Sequence, residues 1–150
     1  MGQTNIESLC SKFKSQLDCA FDVYTEIRND DTFVISPDRL KVVVAMINEH
    51  FDGIHLSTIT AQQREANAEV IEVMYSFFQG VGFSLMISLP TNAPEVTSIV
   101  SIIPGADFYE REVAEMFGVK FTGRRETPPL LLPDDWDQAP PFIRNEVNND

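Results

Sequence analysis

Apolar residues along this chain recur at helical spacing in some stretches and at strand spacing in others. Ile6, Leu9, Cys10, Phe13 and Leu17 stand three and four apart behind a Thr4/Glu7 capping-box pattern, which predicts a helix over roughly residues 5–17. From Cys19 the period drops to two. Cys19, Phe21, Val23, Thr25 and Ile27 alternate with Ala20, Asp22, Tyr24, Glu26 and Arg28, the pattern of a half-buried strand. Asn29-Asp30-Asp31 then signals a turn, and Thr32 to Ile35 a second strand. Ser36-Pro37 is a helix start, with serine at the N-cap and proline at the first helical position. Leu40, Val43, Val44 and Ile47 share one face of the helix that follows, which should end near His50, before Gly53.

Downstream, Ile54 to Thr60 reads as a strand and Ala61 to Ala68 as a polar loop. Two further strands place Ile71, Val73, Tyr75 and Phe77, then Phe83, Leu85, Ile87 and Leu89, on single faces, joined by a Gly80-Val81-Gly82 hairpin. After a Thr91–Pro94 loop, Glu95 to Ile103 suits either state. Val96, Ile99, Val100 and Ile103 fit a short helix, and the β-branched content fits a strand; the helix is favoured here. Pro104-Gly105 breaks the chain. Asp107 and Glu110 then occupy the N-cap and N3 positions of a short helix with a Tyr109/Val113/Met116/Phe117 stripe, ended by Gly118.

Beyond Gly123 the composition changes. Five of the nine prolines lie there, together with Leu130, Leu131, Leu132, Trp136, Phe142 and Ile143, and no helix or strand period fits. The expected class is α+β: a mixed, largely antiparallel sheet with helices packed on it over residues 1–123, followed by an extended proline-rich arm over 124–150.

Composition narrows the function. The 150 residues suit one domain, and 11 basic against 23 acidic residues give a net charge of −12. Such a field repels nucleic acid and anionic lipid alike, so a place at a membrane would have to come through another protein. No apolar run approaches the ~20 residues that span a bilayer, and the polar start carries no leader pattern, so a cytosolic chain is expected. Cys10 and Cys19 are too few for a four-ligand metal site, and His50 and His55 have no partner at ligand spacing. Phosphate-binding glycine loops and the GxSxG elbow are both missing.

The densest charged cluster is Glu110-Arg111-Glu112 with Glu115. On the residues alone, three readings stay open: an acid–base pair in Glu110 and Glu112, a solvated helix face, or a charged docking face. The docking reading draws weight from the length of the helix, about ten residues, which is marginal unless it packs on something.

The run from Phe108 to Gly123, with its Glu110-Arg111-Glu112 and Phe117-Gly118 elements, resembles the signature of the complex I thirty-kilodalton subunit family. Leu130-Leu131-Leu132-Pro133-Asp134-Asp135-Trp136 is similar to that family's segment ending in tryptophan. Arg124-Arg125-Glu126-Thr127-Pro128-Pro129 stands where the family usually has His-Pro-Asp-Leu-Arg-Arg, a departure that suits relatives in energy-converting hydrogenases and deazaflavin-linked dehydrogenases. The resemblance implies a non-catalytic subunit of a membrane oxidoreductase, of the NADH:quinone or hydrogenase type. It would have no flavin, iron–sulfur cluster or nickel of its own. It would dock on the large catalytic subunit, related to the nickel–iron hydrogenase large chain, near the small iron–sulfur subunit. The complex would hold it peripherally on the inner face of the cell membrane. Glu110, Arg111, Glu112 and Glu115, with Arg124 and Arg125, would make charged contacts to the partner or order the arm. Phe117 and Gly118 belong to the same motif, and Leu131, Trp136 and Phe142 would be apolar anchors.

The first testable expectation follows directly. The isolated chain, refolded and reconstituted in turn with flavin, iron and nickel, should remain colourless and metal-free; stoichiometric uptake of any of them would contradict the reading.

Overall fold

The structure, a computed structural model, describes the backbone of residues 24–28 and all of residues 31–64, 67–80 and 82–144. The helix expected over residues 5–17, both cysteines and the start of the first strand lie outside the described residues.

Strands β1 (Tyr24–Arg28), β2 (Thr32–Ile35), β3 (His55–Arg64), β4 (Asn67–Phe78) and β5 (Gly82–Pro90) form one sheet in the order β1-β2-β5-β4-β3. Only the β2–β5 pair is parallel. Helices α1 (Leu40–His50) and α2 (Ala106–Phe117) complete the α+β class, with a separate parallel pair made by β6 (Glu95–Thr97) and β7 (Lys120–Thr122).

The alternation read from the sequence sets the register. Ile71 faces Leu89, Val73 faces Ile87, Tyr75 faces Leu85 and Phe77 faces Phe83 across β4 and β5. The row extends to Phe33 on β2 and Ile59 on β3. A shift by one residue would turn the whole row to the opposite face, so burial specifies this register strongly. Each such side chain contributes about 1.5–3 kcal/mol when fully buried. Leu40, Val43, Val44 and Ile47 of α1 join the same core, as do Val96, Ile99, Val113, Val119 and Phe121. Ser36 occupies the N-cap as expected, although its hydroxyl bonds the Asp38 carboxylate and the first turn, Pro37–Arg39, is a 3₁₀ turn. Gly53 lies just past the helix at φ 75°.

Three local expectations are corrected. The polar stretch after Thr60 is not a loop: β3 continues to Arg64 and pairs with the start of β4. Its polar side chains bond across the hairpin, Gln62 and Arg64 both meeting Glu72 at 2.7 Å. Cross-strand pairing of this kind stabilises strands that composition alone assigns to loops. The segment from Glu95 is a strand and not a helix, because Val96 finds Phe121 on β7; turns follow, in which Ile102 and Ile103 donate to the Ile99 carbonyl at 2.9 Å. The N-cap of α2 is Gly105, so Asp107 and Glu110 lie within the helix; its buried face is Ala106, Glu110 and Val113.

One core residue carries a prediction of its own. Tyr75 is fully buried, and its hydroxyl has no hydrogen-bond partner among the described residues. An orphaned buried hydroxyl costs about 1–3 kcal/mol. Tyr75→Phe should therefore leave stability unchanged or raise it by up to about 1 kcal/mol in urea denaturation, against the usual loss at a core position.

Candidate functional site

Helix α2 and the arm build the site around one buried carboxylate. Glu110 has no solvent exposure. Its Oε1 accepts the Ile99 N–H at 2.8 Å, and its Oε2 accepts the Ser98 hydroxyl at 2.7 Å and Arg124 Nη1 at 3.0 Å. The other Arg124 amino group meets the Asp107 carboxylate. Asp107 sits in the first turn of α2, where the helix dipole favours an acid. Burial pushes the Glu110 carboxyl above its usual range, while the Ile99 N–H, Ser98 and Arg124 pull it back. Burial, together with the nearby Glu110 charge, pushes the Tyr75 hydroxyl upward as well.

The arm lies along α2. Arg111 donates to the Pro128 carbonyl at 2.9 Å, reaches Asp107 at 3.7 Å and stacks over the Phe108 ring at 6.0 Å. Its Nε is buried without a hydrogen-bond partner among the described residues. Glu115 accepts three consecutive backbone N–H groups, those of Leu130, Leu131 and Leu132. The Phe142 N–H caps the Met116 carbonyl at 2.9 Å, and the Phe142 ring meets Phe117 edge-on at 5.6 Å. Gln63 closes the far end, its side-chain oxygen accepting the Arg144 N–H at 2.7 Å. Gly118 ends α2 at φ 70°, and a Cβ there would stand 2.9 Å from Pro140. Glycine is thus required both by its backbone and by the arm.

The expected site residues therefore divide. Glu110, Arg111, Glu115, Gly118 and Arg124 bind their own chain, and Phe117 is half-buried beneath Phe142. Glu112 and Arg125 are exposed. With Glu110 buried and Glu112 in solvent, the two do not share a cleft, which removes the acid–base pair. Leu131 (57% exposed), Trp136 (38%) and Phe142 (57%) stand out as large apolar side chains in contact with solvent. Sequence reasoning missed Phe108, at 62% the most exposed large apolar side chain among the described residues, although it opens the charged run. It also missed Ser98 and Gln63, whose roles depend on residues distant in sequence. Between β7, the second half of α2 and residues 123–136 runs a groove of about 640 Å³ lined by Arg111, Glu115, Phe121, Arg124, Leu132 and Trp136.

The family described as the respiratory-chain NADH dehydrogenase 30 Kd subunit matches residues 33–147. The C subunit of the NADH-quinone oxidoreductase of Roseiflexus sp. (strain RS-1) is 29% identical over 81% of this chain and 72% of its own length. The C subunit of the F(420)H(2) dehydrogenase of Methanosarcina mazei is 30% identical over 89% of this chain and 84% of its own. The C/D subunit of the NADH-quinone oxidoreductase of Methylococcus capsulatus is 33% identical over 67% of this chain, a match spanning 16% of that longer protein. Among solved structures, a chain of the membrane-bound sulfane sulfur reductase, an archaeal respiratory membrane complex, shares the fold with a TM-score of 0.67 at 23% identity, over 83% of this chain and 76% of that one.

The Glu110–Arg124 pair predicts a pH-dependent defect. Arg124→Ala leaves a buried carboxylate without its cation and should cost about 3–5 kcal/mol at neutral pH. A carboxyl held above its unfolded value stabilises the fold in acid, and that contribution is lost as pH rises through the folded value. Removing Arg124 raises the folded value further, so the deficit should shrink as pH falls towards 5. Glu110→Gln in the same chain should recover part of it. Urea denaturation across that range reads both effects.

Proposed function

Because this chain belongs to the family of the respiratory-chain NADH dehydrogenase 30 Kd subunit, we propose that it is a non-catalytic docking subunit of a complex I-like membrane oxidoreductase. It would seat on the large catalytic subunit, beside the small iron–sulfur subunit. The observation that carries this reading is where exposed apolar surface lies. Of the six exposed large hydrophobic residues described, Phe108, Leu131, Trp136 and Phe142 all belong to α2 or the arm. Rigid aromatic anchors on a preformed support are what a specific interface needs, because little ordering entropy remains to be lost on binding. The C/D relative supports the choice of partner: one polypeptide there bears the names of both subunits.

Among the described residues no helix is long and apolar enough to cross a membrane. With its net charge of −12, the chain reaches the membrane through the complex and not through lipid. In this reading the charged motif works from behind. Glu110, Arg111, Glu115 and Arg124 hold the arm in the shape the partner meets, while Glu112 and Arg125 remain available at its surface.

The test separates docking from folding. Leu131→Ala alters an exposed side chain and should change stability by no more than about 0.5 kcal/mol, while Trp136→Ala and Phe142→Ala, which also give up packing in the groove and against Phe117, should cost about 0.5–1.5 kcal/mol and leave the chain folded. A true anchor should cost about 2 kcal/mol or more of assembly affinity, roughly thirtyfold. Variants that assemble normally with the large subunit would refute this surface.

A further inference from the structure

Pro128, Pro129 and Pro133 have no N–H, so the backbone donors between the first and last of them are Leu130, Leu131 and Leu132. All three point to one acceptor, the Glu115 carboxylate. Glu115 lies in the last turn of α2, where the helix dipole disfavours an acid, so its own helix does not explain an ionised group there. The arm is also tied on either side of this contact, at Arg124 to Glu110 and Asp107, and at Phe142 to Met116 and Phe117. It is anchored at two ends and clasped in the middle, across the groove beside β7.

We propose that residues 126–136 form a strap over this groove and that Glu115 is its proton-sensitive clasp, so that neutralising this one carboxylate frees the strap while both anchors hold. Protonation gives the carboxyl one hydrogen and leaves a weaker, neutral acceptor for three donors. The charged groups around it are Arg111 and Glu112 on its own helix, Lys120 on β7, and Arg124, Arg125, Glu126 and Asp134 on the arm. Arg124 is taken by Glu110 and Asp107, and Lys120 by Glu95 at 3.1 Å. Partial burial pushes Glu115 upward, but the three N–H groups and Arg111 outweigh it and hold the carboxyl below its ordinary range. The clasp is therefore at full strength above about pH 4.3, the ordinary glutamate value, and is lost as pH falls through the lowered one. The strap does not depend on the docking reading, since every contact lies within the chain.

Amide exchange by NMR on the full-length chain tests it. At neutral pH, Glu115→Gln should lower the protection factors of Leu130, Leu131 and Leu132 by about tenfold or more while Ile99, bound to Glu110, keeps its own. In the parent protein the same three amides should keep their protection through the higher pH at which Glu110 titrates and lose it only below the ordinary glutamate value of about 4.3, and in the variant that lower transition should vanish. The acid titration of the parent decides the matter even if the variant does not fold. Unchanged protection in Glu115→Gln would overturn the strap. So would loss spreading to Ile99, which would make Glu115 a part of the core, or a parent chain whose three amides are unprotected at neutral pH.

Discussion

The arrangement around α2 depends on a carboxylate with no access to water. Glu110 sits where the turn after β6, the inner face of α2 and the root of the arm meet. A buried charge is tolerated only when it is paired and its lone pairs are used. Meeting that condition dictates much of the local structure. Ser98 and Ile99 must present a hydroxyl and an N–H, so the chain turns there. Arg124 must face inward with only 10% of its side chain exposed, which sets the course of the arm. Asp107 meets the other amino group of that guanidinium.

The motif thus turns the usual arrangement of a surface around. Glu110, Arg111 and Glu115 point into the chain or along the arm and Phe108 faces solvent, while Val113, Val119 and Phe121 join the core and Glu112 stays exposed. Glu110 and Arg124 secure the arm's root, Arg111 and Glu115 its middle, and Gly118 makes room for Pro140 near its end. The proline-rich arm is seated on its own helix. Prolines reduce the freedom such a segment has to lose, and the preset shape suits a surface that docks without reorganising.

How much of this could be read in advance varies by element. Period-two alternation gave β4 and β5 with their buried faces, and the Leu40/Val43/Val44/Ile47 spacing gave α1, because one-face burial is written in local spacing. Residues 61–64 misled because their polar side chains satisfy one another across a hairpin and need no core. The strand from Glu95 to Thr97 depends on β7, which lies more than twenty residues on and leaves no local trace. The burial of Glu110 was not legible in the sequence. In an acidic run this residue reads as surface, and its burial depends on Ser98, Ile99 and Arg124, all more than ten residues away. The motif's importance was legible; the direction in which its side chains point was not.

We propose that this charged framework presents an apolar surface to the rest of a complex. Hydroxyl-radical footprinting of the native complex against the isolated chain tests it most directly. Phe108, Leu131, Trp136 and Phe142 should be oxidised in the isolated chain and protected in the complex, while Val42 and Phe78, exposed on other elements, react in both. Equal oxidation of the four in both states would contradict the account.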